Sequence, residues 1–153
     1  MVGNYAAKRA SDGASAAPRA KTVSDFMTKK LITFHPDDSL EDVMNKLLEH
    51  KISGAPVVNE SNELVGVISE GDCLKVITKS KYHNTPQRAQ RVGDYMAKEV
   101  VTTTPDRDIM LVAEDFLSKR IRRFPVLDGG RLVGQISQKD VMKAVLEMES
   151  QTW

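Results

Sequence analysis

A single cysteine, Cys73, is all that this 153-residue sequence carries. One thiol excludes a disulfide framework within the chain and fits a reducing compartment, the cytoplasm. Long apolar runs are missing too. No stretch approaches the roughly 18 apolar residues of a membrane span, and the N-terminus lacks the apolar segment of a signal peptide. Neither sign of charge dominates: the formal net charge is +1, which argues against a dedicated nucleic-acid binder. Patterns that carry chemistry are equally scarce. There is no Gly-rich phosphate loop and no nucleophile–base pair at interpretable spacing. His35, His50 and His83 stand at no metal-ligand spacing with one another or with Cys73. Cys73 reads as a small apolar side chain packed in a core, because free cysteine is among the most buried residue types. The expectation is a protein that is not an enzyme.

What the sequence does have is a repeat. Asp25-Phe26-Met27 recurs as Asp94-Tyr95-Met96, and at the same offset Pro36-Asp37 matches Pro105-Asp106 and Ile52 to Val57 matches Ile121 to Val126. Past the turn Asn59 to Asn62, one residue longer than Asp128 to Gly130, the offset drops by one. Leu64-Val65-Gly66 then matches Leu132-Val133-Gly134, Ser69 matches Ser137, and Asp72 matches Asp140. A single insertion in a turn is what a duplicated structural unit tolerates. The boundaries read from this are a tail over 1–21, a first repeat over 22–78, a connector over 79–91, a second repeat over 92–148 and a C-terminal end over 149–153. The tail is rich in Ala, Ser, Gly and basic residues and shows no apolar periodicity, so it reads as flexible.

Each copy has the same local pattern. Leu31 to Phe34 and Val100 to Thr104 are short β-prone runs ended by a nearby proline. Ser39 and Asp108 are N-cap candidates. They precede Leu40, Val43, Met44, Leu47 and Leu48 in one copy and Ile109, Val112, Ala113, Phe116 and Leu117 in the other, the stripe of an amphipathic helix. Pro56-Val57-Val58 with Leu64 to Ile68, and Pro125-Val126-Leu127 with Leu132 to Ile136, read as hairpins. Ser69 and Ser137 then open second helices. The fold class is therefore α/β (α+β), two tandem β-α-β-β-α repeats packed with pseudo-two-fold symmetry. A unit of this size is marginal alone, so the two should cover each other's sheets and leave paired clefts at their junction.

The sharpest local signal is Gly66-Val67-Ile68-Ser69-Glu70-Gly71-Asp72, echoed by Gly134-Gln135-Ile136-Ser137-Gln138-Lys139-Asp140. Each strand hands over to a helix start, where free N–H groups and the helix dipole favour an anion. The Asp three residues on shares a face with the serine and suits two vicinal hydroxyls, as on a ribose. Ser-x-x-Asp also has the form of a capping box that closes the helix end and does nothing else. Recurrence beside an expected cleft favours binding. Arg122 and Arg123 offer guanidinium groups suited to bidentate anion contact, with a solvated surface role as the alternative.

With these residues in view, the chain resembles the cystathionine-β-synthase-type (CBS) domain pair. The resemblance covers about Val23 to Met148. It rests on Ser53-Gly54-Ala55-Pro56-Val57-Val58 and Arg123-Phe124-Pro125-Val126-Leu127-Asp128, each with the Ser-x-x-Asp segment of its repeat. It implies a stand-alone regulatory module that binds an adenosine ligand: AMP, ADP or ATP, with S-adenosylmethionine a further candidate. It also implies that the serine faces phosphate, the Asp takes the ribose hydroxyls and the base lies against backbone. Carried over, one cleft uses Ser137 and Asp140 with Ile52, Ser53, Gly54 and Ala55. The other uses Ser69 and Asp72 with Ile121, Arg122, Arg123 and Phe124, and its arginines should favour the longer phosphate chains. The partners expected are this nucleotide, a second copy of the chain in a homodimer, and a regulated protein of unknown identity, with neither a membrane nor a nucleic acid among them. The competing class is a ligand-independent dimeric scaffold whose Ser-x-x-Asp motifs only cap helices.

Overall fold

The computed structural model describes residues 21–83 and 89–152. The expected tail, apart from Lys21, and the middle of the expected connector lie outside the described residues. The element order repeats once. A helical turn α1 (Val23–Phe26), helix α2 (Leu40–His50), strands β1 (Gly54–Val58) and β2 (Leu64–Ser69) and helix α3 (Glu70–His83) make the first series. Turn α4 (Val92–Tyr95), helix α5 (Ile109–Lys119), strands β3 (Arg123–Asp128) and β4 (Arg131–Ser137) and helix α6 (Gln138–Thr152) make the second. Helix α3 continues to His83, into the stretch read from sequence as connector.

The caps form as the sequence expects. Ser39 Oγ accepts from Asp42 N–H at 3.1 Å, and the Asp108 carboxylate accepts from Met110 N–H at 2.7 Å. Both helices end on a residue in the left-handed conformation, Lys51 and Arg120, each at φ 56°. Of the apolar stripes, Leu40, Val43 and Leu47, and Ile109, Val112 and Phe116, are buried, whereas Leu48 and Leu117 stand 78% and 82% exposed.

Each sheet is a two-stranded antiparallel hairpin, with a register shift between Val57 and Val58 and at the equivalent place between Val126 and Leu127. The second hairpin closes through Gly129 and Gly130, both at positive φ. That pair of conformations gives a two-residue turn whose twist suits the strands, and glycine adopts it without a Cβ clash.

The expected first strands shrink to one parallel bridge each, Phe34 with Val57 and Thr103 with Val126. Proline is the reason. Phe34 donates to Pro56 O at 3.0 Å and accepts from Val58 N–H at 2.8 Å, and Thr103 does the same with Pro125 and Leu127 at 3.0 and 2.9 Å. Lengthening either ladder backward needs the N–H of residue 56 or 125, and forward that of residue 36 or 105. All four are prolines, which have none. The carbonyl of Val58, which Pro36 cannot reach, instead lies 2.9 Å from the His35 ring nitrogen Nδ1.

The segment that leads into each repeat packs on the other repeat. Val92 N–H donates to Asp38 O at 2.9 Å, Gly93 N–H to Pro36 O at 2.8 Å and Leu40 N–H to Gln90 O at 3.0 Å. The mirror set is Val23 to Arg107 O, Ser24 to Pro105 O and Ile109 to Lys21 O, at 3.0, 2.8 and 3.1 Å. Accordingly Val92 belongs to the core of Phe34, Leu40, Val57 and Ile68, while Val23 belongs to that of Ile109, Phe116, Val126 and Ile136. Burying one valine contributes about 1.5–3 kcal/mol, so each half is completed by the other. Reciprocal contacts of this kind are what a pseudo-two-fold relation requires. On the axis side the hairpin turns meet, with Leu132 N–H donating to Asn62 O at 2.9 Å and Asn62 Nδ2 to Leu132 O at 2.8 Å.

Candidate functional site

At the end of β2 the chain turns into α3 through Ser69, and Asp72 sits one helical turn on. Asp72 Oδ2 accepts from Ser69 N–H at 2.9 Å and from Ser69 Oγ at 3.0 Å, while Ser69 Oγ accepts from Asp72 N–H at 3.3 Å. Ser137 and Asp140 repeat this geometry at 2.8, 3.0 and 3.3 Å. The capping box is thus formed at both helix starts. Glu70 N–H is also taken, by Ser53 O at 2.9 Å, and Gln138 N–H by Arg122 O at 3.3 Å. The helix ends are therefore not bare anion cradles. Among the described residues, Oδ1 of either Asp accepts no hydrogen bond, which leaves one carboxylate oxygen for a hydroxyl-bearing ligand.

A cleft of about 390 Å³ opens between the two hairpins. Its walls are Ser53, Gly54, Ala55 and Pro56 at the start of β1, Val67 and Ser69 on β2, Ala97 to Val101 of the second lead-in without Lys98, and Arg120 to Arg123 with Pro125 and Gln135 from the second repeat. The lining is mostly apolar, and its cationic residues Arg120, Arg122 and Arg123 come from one short segment while Glu99 comes from the lead-in.

Seven of the residues expected at the site line this one cleft: Ser53, Gly54, Ala55, Ser69, Ile121, Arg122 and Arg123. From sequence the first three are assigned to one cleft and the other four to its mirror. Asp72 stands directly behind the lining, bonded to Ser69. Ser137 and Asp140 lie outside this cleft. Ile52 packs against the first core. Phe124 is buried in the second core, its ring 4.5 Å from that of Phe116, and does not line the cleft. Sequence reasoning missed Glu99 and Arg120. The repeat offset held the signal for Arg120, which is the counterpart of Lys51 at the same left-handed helix end.

Arg123 is tied across the junction. Its Nη2 donates to Ser53 Oγ at 2.8 Å and its Nη1 to Gly54 O at 3.4 Å, so a second-repeat guanidinium is anchored on first-repeat backbone and hydroxyl. Cys73, on the next residue after Asp72, is buried, and burial together with the neighbouring Asp72 and Glu70 charges pushes its thiol above the ordinary value. A buried thiol whose ionisation is opposed in this way suits a packing group rather than a nucleophile.

The family model described as CBS domain matches residues 23–79 and 92–147. A solved structure of CBSX2 in complex with AMP is 30% identical, with a TM-score of 0.72, covering 84% of this chain and 98% of that one. The CBS-pair protein CBSX2 from Arabidopsis thaliana, in a further structure, is 29% identical with a TM-score of 0.75, covering 86% of this chain and 99% of that one. The CBS domain pair of protein MJ0100, in complex with 5′-methylthioadenosine and S-adenosyl-L-methionine, is 26% identical with a TM-score of 0.69, covering 84% of this chain and 98% of that one. Inosine-5′-monophosphate dehydrogenase of Methanocaldococcus jannaschii is 32% identical over 124 residues, 80% of this chain. The chain spans 23% of that enzyme's length and 41% of that of protein MJ1225 from the same organism.

Proposed function

We propose, on the premise that this chain belongs to the CBS-domain family, that it is a regulatory module binding an adenosine nucleotide in the cleft beside Ser69. The observation that carries this reading is the convergence, in one cleft of about 390 Å³, of Ser69 with Arg120, Arg122 and Arg123. Guanidinium groups supply the phosphate contact that the occupied helix start does not. The ribose hydroxyls go to Asp72 Oδ1, and the base to the apolar wall of Ala55, Pro56, Val100 and Val101. The AMP complex of CBSX2 and the methylthioadenosine complex of MJ0100 support an adenosine group as the shared element. AMP, ADP and ATP are the ligands proposed for this chain, with S-adenosylmethionine behind them for want of a phosphate to meet the arginines. The second Ser-x-x-Asp pair, Ser137 with Asp140, is assigned to the mirror cleft.

No catalytic step is proposed. Cys73 is buried, and that burial pushes its thiol above the ordinary value; the regulated target is a separate protein or domain. Two copies associate through the helix faces that carry Leu48, Leu74, Leu117, Met142 and Leu146, all of them exposed, because apolar patches of this kind mark interfaces. Among the described residues no helix is long and apolar enough to cross a membrane.

One observation favours a second reading. The capping boxes at Ser69 and Ser137 are complete without any ligand, as a pure scaffold would need. A thermal-shift screen with adenosine, AMP, ATP and S-adenosylmethionine separates the two. A ligand of the native state raises the melting temperature in proportion to RT ln(1 + [L]/Kd). A scaffold shows no shift with any of the four.

A further inference from the structure

Arginine occurs in two kinds of environment in this chain, and the difference bears on how phosphate is recognised. Elsewhere in the chain, Arg107 is neutralised: its Nε and Nη2 hold both oxygens of Asp115 at 2.8 and 3.1 Å. Arg123 has no such partner. Its two hydrogen bonds go to a neutral hydroxyl and a carbonyl, and among the described residues no carboxylate lies within ion-pair distance of it. Two of the five guanidinium N–H donors are engaged, and the full positive charge remains. The group is nonetheless held. The short bond, 2.8 Å to Ser53 Oγ, joins residues 70 positions apart across the repeat junction.

We propose that Ser53 is a positioning residue: by fixing the Arg123 guanidinium in the cleft wall, it sets how strongly the cleft prefers a phosphorylated ligand to an unphosphorylated one. The proposal rests on the nucleotide-binding reading above. An arginine free to sample its rotamers loses that freedom on meeting an anion, and the loss is subtracted from affinity. An arginine already anchored through a neutral acceptor has lost it beforehand and keeps its charge and its remaining donors for the ligand. The repeat explains why the arrangement is one-sided. Arg123 is the counterpart of Gly54, whose carbonyl it reaches, and a Cβ on Gly54 would lie 3.0 Å from Ile68 O. One member of the pair is therefore a long cation, and the other is held to a small residue by the carbonyl of its own hairpin.

The test is titration calorimetry of the wild type, Ser53→Ala and Ser53→Thr with adenosine, AMP and inorganic pyrophosphate. The expected result is a three- to tenfold fall in the ratio of AMP to adenosine affinity in Ser53→Ala, with the wild-type ratio kept in Ser53→Thr, which retains the hydroxyl. A merely structural serine would lower both affinities alike and leave the ratio unchanged, and that outcome overturns the proposal. So does a higher ratio in Ser53→Ala, which would mean that Ser53 competes with the phosphate for the guanidinium. If the wild type binds neither adenosine nor AMP, the nucleotide reading fails by itself and pyrophosphate decides the positioning role. Weaker pyrophosphate binding in Ser53→Ala than in the wild type and Ser53→Thr sustains it. Equal binding in all three, or none in the wild type, overturns it.

Discussion

Val67 and Ala97 exchange a reciprocal pair of backbone hydrogen bonds, each 2.9 Å, although one belongs to the first repeat's sheet and the other to the lead-in of the second. Gln135 and Thr28 form the mirror pair at 2.8 and 2.9 Å. The two halves are therefore interlocked at the outer edges of β2 and β4, and the cleft lined by Ser53 and Arg123 opens between the interlocked hairpins.

The interlock depends on glycine at two equivalent places. A Cβ on Gly66 would lie 2.7 Å from Met96 Sδ and 2.8 Å from Ala97 O, and one on Gly134 would lie 2.7 Å from Met27 Sδ and 3.0 Å from Thr28 O. The methionine can move, but the carbonyl is fixed by its bond to the strand. Gly66→Ala and Gly134→Ala are each expected to destabilise the fold by about 1–3 kcal/mol, the usual cost of overpacking. Urea denaturation checks this, and stability within a few tenths of a kcal/mol of the wild type would show that the lead-in does not seat there.

Thr103 occupies the place in the second repeat that Phe34 occupies in the first, and it is buried with no partner for its Oγ1 among the described residues. A buried hydroxyl without a hydrogen bond costs about 1–3 kcal/mol relative to an apolar group. Thr103→Val keeps the shape and removes the polar atom, so it should raise stability by about 1 kcal/mol and the melting temperature by a few degrees. A lower melting temperature would mean that the hydroxyl has a partner, such as a water.

Leu48 and Leu117 are exposed at equivalent positions of α2 and α5. If these faces join two copies, Leu117→Glu buries an unpaired charge at the interface and should convert a dimer to a monomer in light scattering. A wild type that is already monomeric at micromolar concentration contradicts the dimer.

Much of this was legible in the sequence. The offset between Asp25-Phe26-Met27 and Asp94-Tyr95-Met96 identified the repeat, Ser39 and Asp108 identified the caps, and the extra residue in the first hairpin turn was correctly placed. The shortened first strands were also within reach, since the prolines at 36, 56, 105 and 125 are visible and their missing N–H groups decide the ladder. The exchange of lead-ins was not legible. Equivalence of two segments says nothing about which sheet each one joins, and a local hydrophobic pattern is satisfied by either. The Arg123–Ser53 tie was hidden for a related reason. It connects near-equivalent positions across the pseudo-two-fold axis, where no spacing rule applies, and so the motifs alone divide Ser53 and Arg123 between different clefts although they line the same one.

The central claim, that an adenosine nucleotide binds in the Ser69 cleft with Asp72 on its ribose, is tested most directly by ATP titration calorimetry on Asp72→Ala and Asp140→Ala. The pair is internally controlled. Each substitution removes the same capping box from an equivalent helix, so each should cost about the same stability, on the order of 1 kcal/mol. Only Asp72 joins Ser69, which lines the cleft with the arginines. A charge-assisted hydrogen bond is worth about 1.5–3 kcal/mol, so Asp72→Ala should weaken ATP binding about ten- to a hundredfold, and Asp140→Ala should leave that high-affinity binding in place. Unchanged ATP binding in both variants, or no ATP binding by the wild type, would contradict the account and leave both motifs as helix caps.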